Sequence, residues 1–365
     1  MQSVFYVGMD VHKDSVRLAV LKGTEKAPVY EATLKNDIPR IEKAIKRFSA
    51  QGTVIAGYEA GCMGYTLQRS LGASGIECRV IPANRVPRLG SERIKTDARD
   101  AVLIARMLKN NEAESIYVPS AEDEAARDLI RCREDLKAEL HRAKQQLSKF
   151  LLRLGFIYDS ELRPWTKAHR AWMQSLELGQ ALTTETYKQY YSHVTELEER
   201  IGRIEALIVE VAQSAAYSER IAKLRCFKGI DYLTALAFTC EIGDFRRFPS
   251  AASFMAYLGL VPSEYSSGTK RRQGGITKTG NSHLRKLLIE ASWQYRYRCA
   301  PSAALKARRA GMDELVVSYA DKALRRLQTK FAKLVLRGKS SKTAIAATAR
   351  EFAGFIWGAM NEAYC

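Results

Sequence analysis

The chain has 365 residues, 46% of them hydrophobic, which is enough to build two or three domains around sizeable cores. Its 58 Lys and Arg exceed its 40 Asp and Glu, and the net charge of +18 favours a polyanionic partner, most often nucleic acid, over a basic protein without one. The seven cysteines contain no CxxC pair, which argues against a zinc site or a disulfide framework.

The first part of the chain is predicted to form a mixed α/β domain, 1–115. Alternating and continuous apolar runs predict five strands, at 4–11, 15–22, 27–34, 53–60 and 77–83. Helices at 38–48 and 64–73 separate the last three strands. Three consecutive strands followed by helix, strand, helix and strand fit an RNase H-like mixed sheet. A doubly wound Rossmann sheet would alternate from the start, and no GxGxxG follows the first strand.

Four carboxylates fall where this fold could bring them together. Asp10 ends the first strand, Glu59 ends the fourth, and Asp97 and Asp100 begin a predicted helix that runs to Lys109. In an RNase H-like sheet the first and fourth strands are neighbours, and residues three apart share a helix face. Clustered carboxylates repel one another unless a cation neutralises them, so we predict a site for Mg²⁺, or Mn²⁺. Taken singly, each acid could instead be a turn or cap residue.

The middle of the chain, 116–222, is predicted to be helical and coiled-coil-like. Apolar residues follow heptads in two helices, one within 120–154 and one within 185–217. These helices could fold back on each other or pair with a second chain, and we predict that they bring subunits together. The segment between them, 155–185, is rich in Trp and Tyr and is interpreted as an irregular tip or insertion.

The last part, 223–365, is predicted to be a mostly helical domain. Residues 224–245 form two helices joined by a Lys-Gly-Ile turn, which resembles a helix-hairpin-helix element; a plain helical hairpin is the alternative. A Ser-, Gly-, Lys- and Arg-rich loop follows, then a helix that begins near Asn281 and basic helices to the end. Predicted nucleic-acid contacts in this domain are Lys228, Lys278 and Arg285.

Four motifs together resemble one family of mobile-element enzymes. They are "GMDVHKDS", "YEAGCMGY", "IKTDARDA" and "FMAYLGLVPSEYSSGTKRRQGGITKTGNSHLRKLL", which occur in this order within roughly 1–110 and 224–300. The chain is thereby similar to the DEDD insertion-sequence transposases of the "one-ten" family, the bridge-RNA-guided recombinases. The resemblance implies a RuvC-like N-terminal domain whose four acids, Asp10, Glu59, Asp97 and Asp100, bind Mg²⁺.

The resemblance also implies a serine nucleophile just before a glycine in the C-terminal transposase domain. The serine–glycine order favours Ser267, although Ser266 is adjacent and Ser-Ser-Gly is also ordinary turn chemistry. The loop after it contains no evident base, so activation would come from the RuvC-like pocket of another subunit. Lys270, Arg271 and Arg272 would then neutralise the phosphate; the alternative for this trio is a solvated basic loop.

The function implied is that of a transposase, a site-specific DNA recombinase that mobilises an insertion sequence. The expected partners are DNA, a structured bridge RNA and further copies of the chain, as a dimer or, on DNA, a tetramer. The alternatives are a RuvC-like nuclease that cleaves with metal-activated water and a non-catalytic nucleic-acid scaffold. Without a secretory signal or an apolar run of membrane-spanning length, we expect a cytoplasmic, nucleoid-associated protein of a prokaryote.

Overall fold

The structure is a computed structural model that describes residues 3–23, 25–83, 97–158, 163–265, 272–297 and 300–364. The chain divides into two compact units, Met1–Val118 and Pro119–Cys365, which we call the N-terminal unit and the C-terminal unit. The predicted further division near residue 222 stays a prediction.

The N-terminal unit is built on one mixed sheet of five strands. They are β1 (Ser3–Val11), β2 (Ser15–Lys22), β3 (Tyr30–Lys35), β4 (Gly52–Glu59) and β5 (Glu77–Ile81). Their order in the sheet is β3-β2-β1-β4-β5. The first three strands pair antiparallel, while β4 pairs parallel with both β1 and β5. The prediction of a mixed sheet in which the first and fourth strands are neighbours is therefore confirmed.

Both faces of this sheet are covered, which explains the nearly continuous apolar run of β4. On one face, α1 (Ile38–Ser49) and α2 (Thr66–Ala73) bury apolar residues against alternate positions of β1 and β4, among them Val7, Met9 and Tyr58. On the other face lies α3 (Asp97–Lys109), whose Ile104 and Leu108 belong to a second cluster with Ile81.

The helix α3 lies directly on β1 because Gly8 has no side chain. A Cβ at Gly8 would stand 2.0 Å from the carbonyl oxygen of Ala101 and 2.5 Å from the amide nitrogen of Ala105. At the other end of the helix, Lys109 Nζ donates to the carbonyl oxygen of Glu25 at 2.8 Å, close to where β1 begins. The helix therefore runs back across the sheet, and its N-terminal turn lies toward the end of β1 that carries Asp10.

In the C-terminal unit, two helices of 33 residues each form a hairpin: α4 (Ala121–Arg153) and α6 (Ala181–Gln213). Their predicted apolar seams pack against each other within one chain, with Leu140 and Ile201 in the same buried cluster. Of the two arrangements that the sequence left open, the structure has the intrachain one. That these helices also join subunits stays a prediction.

The segment between these helices is more ordered than an irregular tip. It contains α5 (Lys167–Gln174), which begins after Thr166, whose side chain accepts a hydrogen bond from the amide of His169. His169 and Trp172 stack within an aromatic group, and Met173 is buried in the cluster of the α4–α6 hairpin. A helix of two turns offers too few periodic positions to be recognised from its apolar spacing.

We expect Leu140→Asp to destabilise the α4–α6 hairpin strongly. Leu140 is only 6% exposed in the seam, so the substitution removes buried apolar surface and places a carboxylate where it has no partner. Truncating a buried Leu alone costs about 2–5 kcal/mol. Urea unfolding followed by circular dichroism measures the loss. Ala138→Asp, which adds the same charge at an exposed position of α4, should change the midpoint little; equal effects of both variants would refute the buried seam.

The rest of the C-terminal unit consists of helices and one short β-hairpin. The helices are α7 (Ser218–Arg225), α8 (Tyr232–Ile242), α9 (Ala251–Tyr257), α10 (Ser282–Ser292), α11 (Ala303–Arg309), α12 (Glu314–Leu336) and α13 (Ser341–Met360). The hairpin pairs β6 (Pro262–Glu264) with β7 (Gln273–Ile276). The two helices of the predicted helix-hairpin-helix element are α7 and α8, and α10 begins after its N-cap Asn281, as predicted. No helix in the described ranges is long and apolar enough to cross a membrane.

Candidate active site

The strand register places Asp10 beside Glu59. In the parallel β1–β4 pair, Gly8 lies opposite Gly57 and Met9 opposite Tyr58, so the next two positions are Asp10 and Glu59. Alternate residues of a strand share a face, and Gly8 faces α3. Asp10 and Glu59 therefore lie side by side on the face that α3 covers, at the carboxyl ends of two adjacent strands.

The start of α3 lies toward the same edge of the sheet. The position of Asp100 precedes the buried residue Ile104 by one turn, which puts Asp100 on the side of the helix that faces the sheet. Asp100 is partly buried, whereas the side chain of Asp97 lies outside the described atoms. The backbone thus directs the segments that carry all four predicted acids toward one edge.

Two basic residues of the β1–β2 hairpin surround Asp10. His12 Nε2 lies 3.1 Å from Asp10 Oδ2. Arg17 stands opposite Asp10 in the antiparallel ladder, and its guanidinium donates to Glu31 at 2.6 Å and Thr33 at 3.1 Å on the far side of β2. Arg17 lies outside the set of site residues that the sequence motifs predict. The signal was available, because an antiparallel hairpin with a turn at residues 12–14 fixes which residues of the two strands lie opposite each other.

The donor set suits a hard divalent cation. Asp10 and Glu59 offer carboxylate oxygens from neighbouring strand ends, which is the ligand type that Mg²⁺ and Mn²⁺ prefer. Among the described side chains, which do not include that of Asp97, no group of three or more His, Cys, Asp and Glu stands ready to hold a metal. Asp100 is thus not grouped with Asp10 and Glu59 in the described structure, and a metal site made of all four acids stays a prediction.

The predicted nucleophile lies in a segment that the structure does not describe. Ser266, Ser267, Lys270 and Arg271 all fall outside the described residues, so their roles stay predictions. The segment connects the two strands of the β6–β7 hairpin, where the amide of Tyr265 donates to the carbonyl oxygen of Arg272 at 2.9 Å. Arg272, the last of the predicted basic trio, is exposed.

The other predicted nucleic-acid contacts differ in their surroundings. Lys278 is exposed in the turn before α10, and Lys228 is half-buried in the turn between α7 and α8. Arg285 Nη1 donates to the carbonyl oxygens of Leu258 and Thr279, both at 2.9 Å. The structure therefore gives Arg285 a positioning role in the turn that carries Lys278, whereas a contact with nucleic acid stays a prediction.

A buried charge cluster that no sequence motif indicates joins the start of α10 to α4 and α8. Glu241, 7% exposed, accepts from Arg131 at 2.8 Å and from Asn281 at 3.2 Å. Burial alone would raise the pKa of Glu241, but the neighbouring His283, Arg127 and Arg131 lower it below its ordinary value. Arg131 lies 110 positions before Glu241 and Asn281 lies 40 positions after it, so no local sequence pattern indicates the cluster.

The C-terminal unit also presents a strongly basic helix face. An open groove of about 550 Å³ along α12 is lined by the cations Lys322, Arg325, Arg326, Lys330, Lys333 and Arg337. One carboxylate, that of Glu351, pairs with Arg326 and with Lys330. The excess positive charge of the chain is thus partly concentrated on one surface, as in proteins that bind phosphate backbones.

Comparison with known proteins defines the class. A family model for transposases of the DEDD, IS110 type matches residues 7–156, which span Asp10, Glu59, Asp97 and Asp100. The model of the IS116/IS110/IS902 transposase family matches residues 221–308, which include the serine segment. The two models together cover the unit with the paired acids and the hairpin region of the other unit.

Individual relatives agree with this class over most of their lengths. The chain is 36% identical to the transposase of insertion sequence IS1533 from Leptospira borgpetersenii, over 92% of this chain and 97% of that protein. It is 35% identical to y4qE of Sinorhizobium fredii, which is also named as a transposase, over 98% and 89%. The IS1111A transposase of Coxiella burnetii is 25% identical over 80% and 78%. The chain belongs to the DEDD transposases of the IS110 family.

Proposed function

We propose that this protein is the recombinase that moves its own insertion sequence, with the four acids forming a metal site and Ser267 acting as nucleophile. The observation that carries the proposal is the pairing of Asp10 with Glu59 at one sheet edge, toward which the start of α3 also lies. The order β3-β2-β1-β4-β5, with the first three strands antiparallel, supports an RNase H-like, RuvC-like sheet. Membership of a DEDD transposase family supports the DNA substrate.

The chemistry proposed is phosphoryl transfer to serine. The Ser267 oxygen attacks the scissile phosphorus and loses its proton, a deoxyribose oxygen leaves with a proton, and a phosphoserine joins protein to DNA. A divalent cation held by Asp10, Glu59, Asp97 and Asp100 supplies charge neutralisation at the phosphate. Because the phosphoserine retains a phosphodiester, the reverse attack by a new strand end reseals DNA without ATP.

A structured RNA encoded by the element is proposed as the guide. In that arrangement base pairing selects donor and target DNA, and the protein binds backbone and shape. The basic α12 face supports a polyanionic partner in general, and either nucleic acid could occupy it. A composite site assembled from several copies of the chain is part of the same proposal, because Ser267 lies in a different unit from the four acids.

The experiment that separates the alternatives uses supercoiled DNA bearing the element ends, the flanking RNA and Mg²⁺. Strand exchange supports the recombinase. Nicking or linearisation without exchange would indicate a RuvC-like nuclease that uses water, and retention of intact DNA would indicate a scaffold. Omitting the RNA from a parallel reaction tests guidance by itself, because a recombinase that needs no guide would keep its activity.

We expect nucleic-acid affinity to fall steeply with salt, and the α12 face to account for part of that slope. Each phosphate contact to duplex DNA adds about 0.9 to the slope of log K against log salt. The triple variant Lys322→Gln, Arg325→Gln, Lys333→Gln should therefore flatten the slope by up to about 2.7. Fluorescence anisotropy at several salt concentrations measures the slope.

A charge-matched control uses exposed cations of the α4–α6 hairpin. The triple variant Lys137→Gln, Lys188→Gln, Arg203→Gln removes the same charge from the C-terminal unit. If both triple variants flattened the slope equally, the binding would reflect net charge and not the α12 face. A wild-type slope near zero would contradict the electrostatic account altogether.

A further inference from the structure

We infer that a groove between the β6–β7 hairpin and the N-terminal half of α13 holds the sugar–phosphate backbone of one DNA strand next to the serine segment. The inference rests on the proposed function for the identity of the nucleic acid. The groove has a volume of about 540 Å³ and lies entirely within the C-terminal unit. Volumes of this order suit ligands of a few ring-sized groups, and thus a short stretch of one strand.

The charged residues that line the groove in the described structure are all positive. Its described lining contains the cations Lys278, Lys342 and Arg350 and no carboxylate. Within the described part of the chain, these three side chains form no ion pair or hydrogen bond. The neighbouring α12 face differs, since Glu351 pairs there with Lys330 at 2.6 Å. Three cations left without counter-charge around one groove are complementary to consecutive phosphates.

The floor and one wall of the groove are made of small residues. Gly274 and Gly275 of β7 and Ala346 and Ala347 of α13 line the groove, and none of them has a side chain larger than a methyl group. A Cβ added at Gly275 would meet no atom within 4 Å, because it would project into open space. The absence of a side chain at Gly275 is therefore not required by packing in the described structure, and it keeps the groove open.

The turn that carries Lys278 is rigid. Lys278 has a φ of 58°, a left-handed conformation that residues other than glycine seldom adopt. Its amide donates to the carbonyl oxygen of Gly259 at 3.1 Å, and Arg285 ties the same turn to Leu258. A Cβ at Gly280 would stand 2.0 Å from the carbonyl oxygen of Tyr257. Such an outlier persists only where its surroundings enforce it, as at sites that hold a ligand.

The groove lies close to the proposed nucleophile along the chain. Arg272, the first described residue after the serine segment, is two residues from Gly274, or about 7 Å along an extended strand. The strand β7, which carries Gly274 and Gly275, is thus one of the two strands that the serine segment connects.

Site-directed photocrosslinking tests the groove without requiring turnover. A benzophenone amino acid replaces Ala346, and the same substitution at exposed Gly202 on α6 serves as control. The probes are a labelled 20-nucleotide DNA strand, the corresponding duplex and the corresponding RNA, each at a protein concentration that saturates binding. We expect position 346 to crosslink the single DNA strand well above position 202. No excess over position 202, or an excess with RNA or duplex alone, would overturn the inference.

Further substitutions, made in the protein that carries the benzophenone at position 346, test the shape and the charge of the groove separately. Gly275→Leu should fill the groove and lower the crosslink to the level of the control position, whereas Gly202→Leu, also placed in open space, should not. Lys342→Gln with Arg350→Gln should lower the crosslink and flatten the salt slope for single strands by about 1.4. Neutralising Lys322 and Arg325 should weaken overall binding. At a protein concentration that saturates binding, however, the crosslink yield at position 346 should be unchanged. An unchanged crosslink in Gly275→Leu would refute occupation of the groove.

Failure of this inference is distinguishable from failure of the proposed function. Crosslinking at position 346 together with no strand exchange by the wild type would support binding of DNA in the groove and refute the proposed recombinase function. Strand exchange by Gly275→Leu at the wild-type rate would refute binding of DNA in the groove and support the proposed recombinase function. Circular dichroism melting curves establish that each variant is folded before either result is interpreted.

Discussion

Asp10→Asn is expected to abolish DNA cleavage and strand exchange while leaving the protein folded. The substitution removes a negatively charged ligand from the pair that Asp10 forms with Glu59 at the sheet edge. Loss of residues that merely orient a metal ligand lowers activity about 10- to 100-fold, so loss of the ligand should lower it by at least about a hundredfold. Without bound metal, the variant should melt at or above the wild-type temperature, because repulsion between the acids is reduced.

The control for this prediction is Asp14→Asn, which removes a carboxylate from an exposed position in the same hairpin turn. Its activity should remain close to that of the wild type. Both variants are assayed for nicking and exchange of supercoiled DNA over a range of Mg²⁺ concentrations. Wild-type cleavage by Asp10→Asn, or equal loss in Asp14→Asn, would show that the sheet edge is not the catalytic centre.

Gly8→Ala is expected to impair both stability and activity, although it adds one methyl group. The new Cβ would stand 2.0 Å from the carbonyl oxygen of Ala101, so α3 must move away from β1. Overpacking of this kind costs about 1–3 kcal/mol, or more where backbone atoms collide. Because α3 also carries Asp97 and Asp100, its displacement separates these positions from Asp10 and Glu59 on the sheet.

The matched control is Gly72→Ala in α2, where an added Cβ meets nothing within 4 Å. A helical Gly→Ala change of this type should stabilise the protein slightly. Activity is measured at a temperature at which Gly8→Ala is still folded by circular dichroism, so that a displaced α3 is distinguished from global unfolding. A Gly8→Ala variant with wild-type melting and wild-type cleavage would contradict the close contact between α3 and β1.

The sheet and its acidic edge could be predicted because their signals are local. Short apolar runs mark β1 and β2, a nearly continuous apolar run marks β4, and the order of elements implies that β1 and β4 are neighbours. Once those strands are adjacent, two acids that end them must lie close together. The predicted helix that begins at Asp97 and Asp100 adds the other two acids, and the family resemblance then adds the serine.

Other features depend on contacts between distant residues and could not be predicted. The heptads of α4 and α6 are equally suited to pairing within a chain and between chains, and only the structure shows their contact. The groove brings Gly275 together with Arg350, which are far apart in sequence and individually unremarkable. The buried contact of Arg127 with Glu241 likewise joins α4 to α8 without any motif.

The most direct test of the proposed serine mechanism is to identify the protein atom that becomes joined to DNA. Wild-type protein reacts with a nicked DNA substrate carrying an element end, in the presence of RNA and Mg²⁺, and the trapped adduct is digested and mapped by mass spectrometry. We expect a nucleotide phosphate on Ser267 in the wild type and none in the Asp10→Asn variant. An adduct on Ser266 would reassign the nucleophile to that residue. Strand exchange that survives the double variant Ser266→Ala, Ser267→Ala would contradict the serine mechanism.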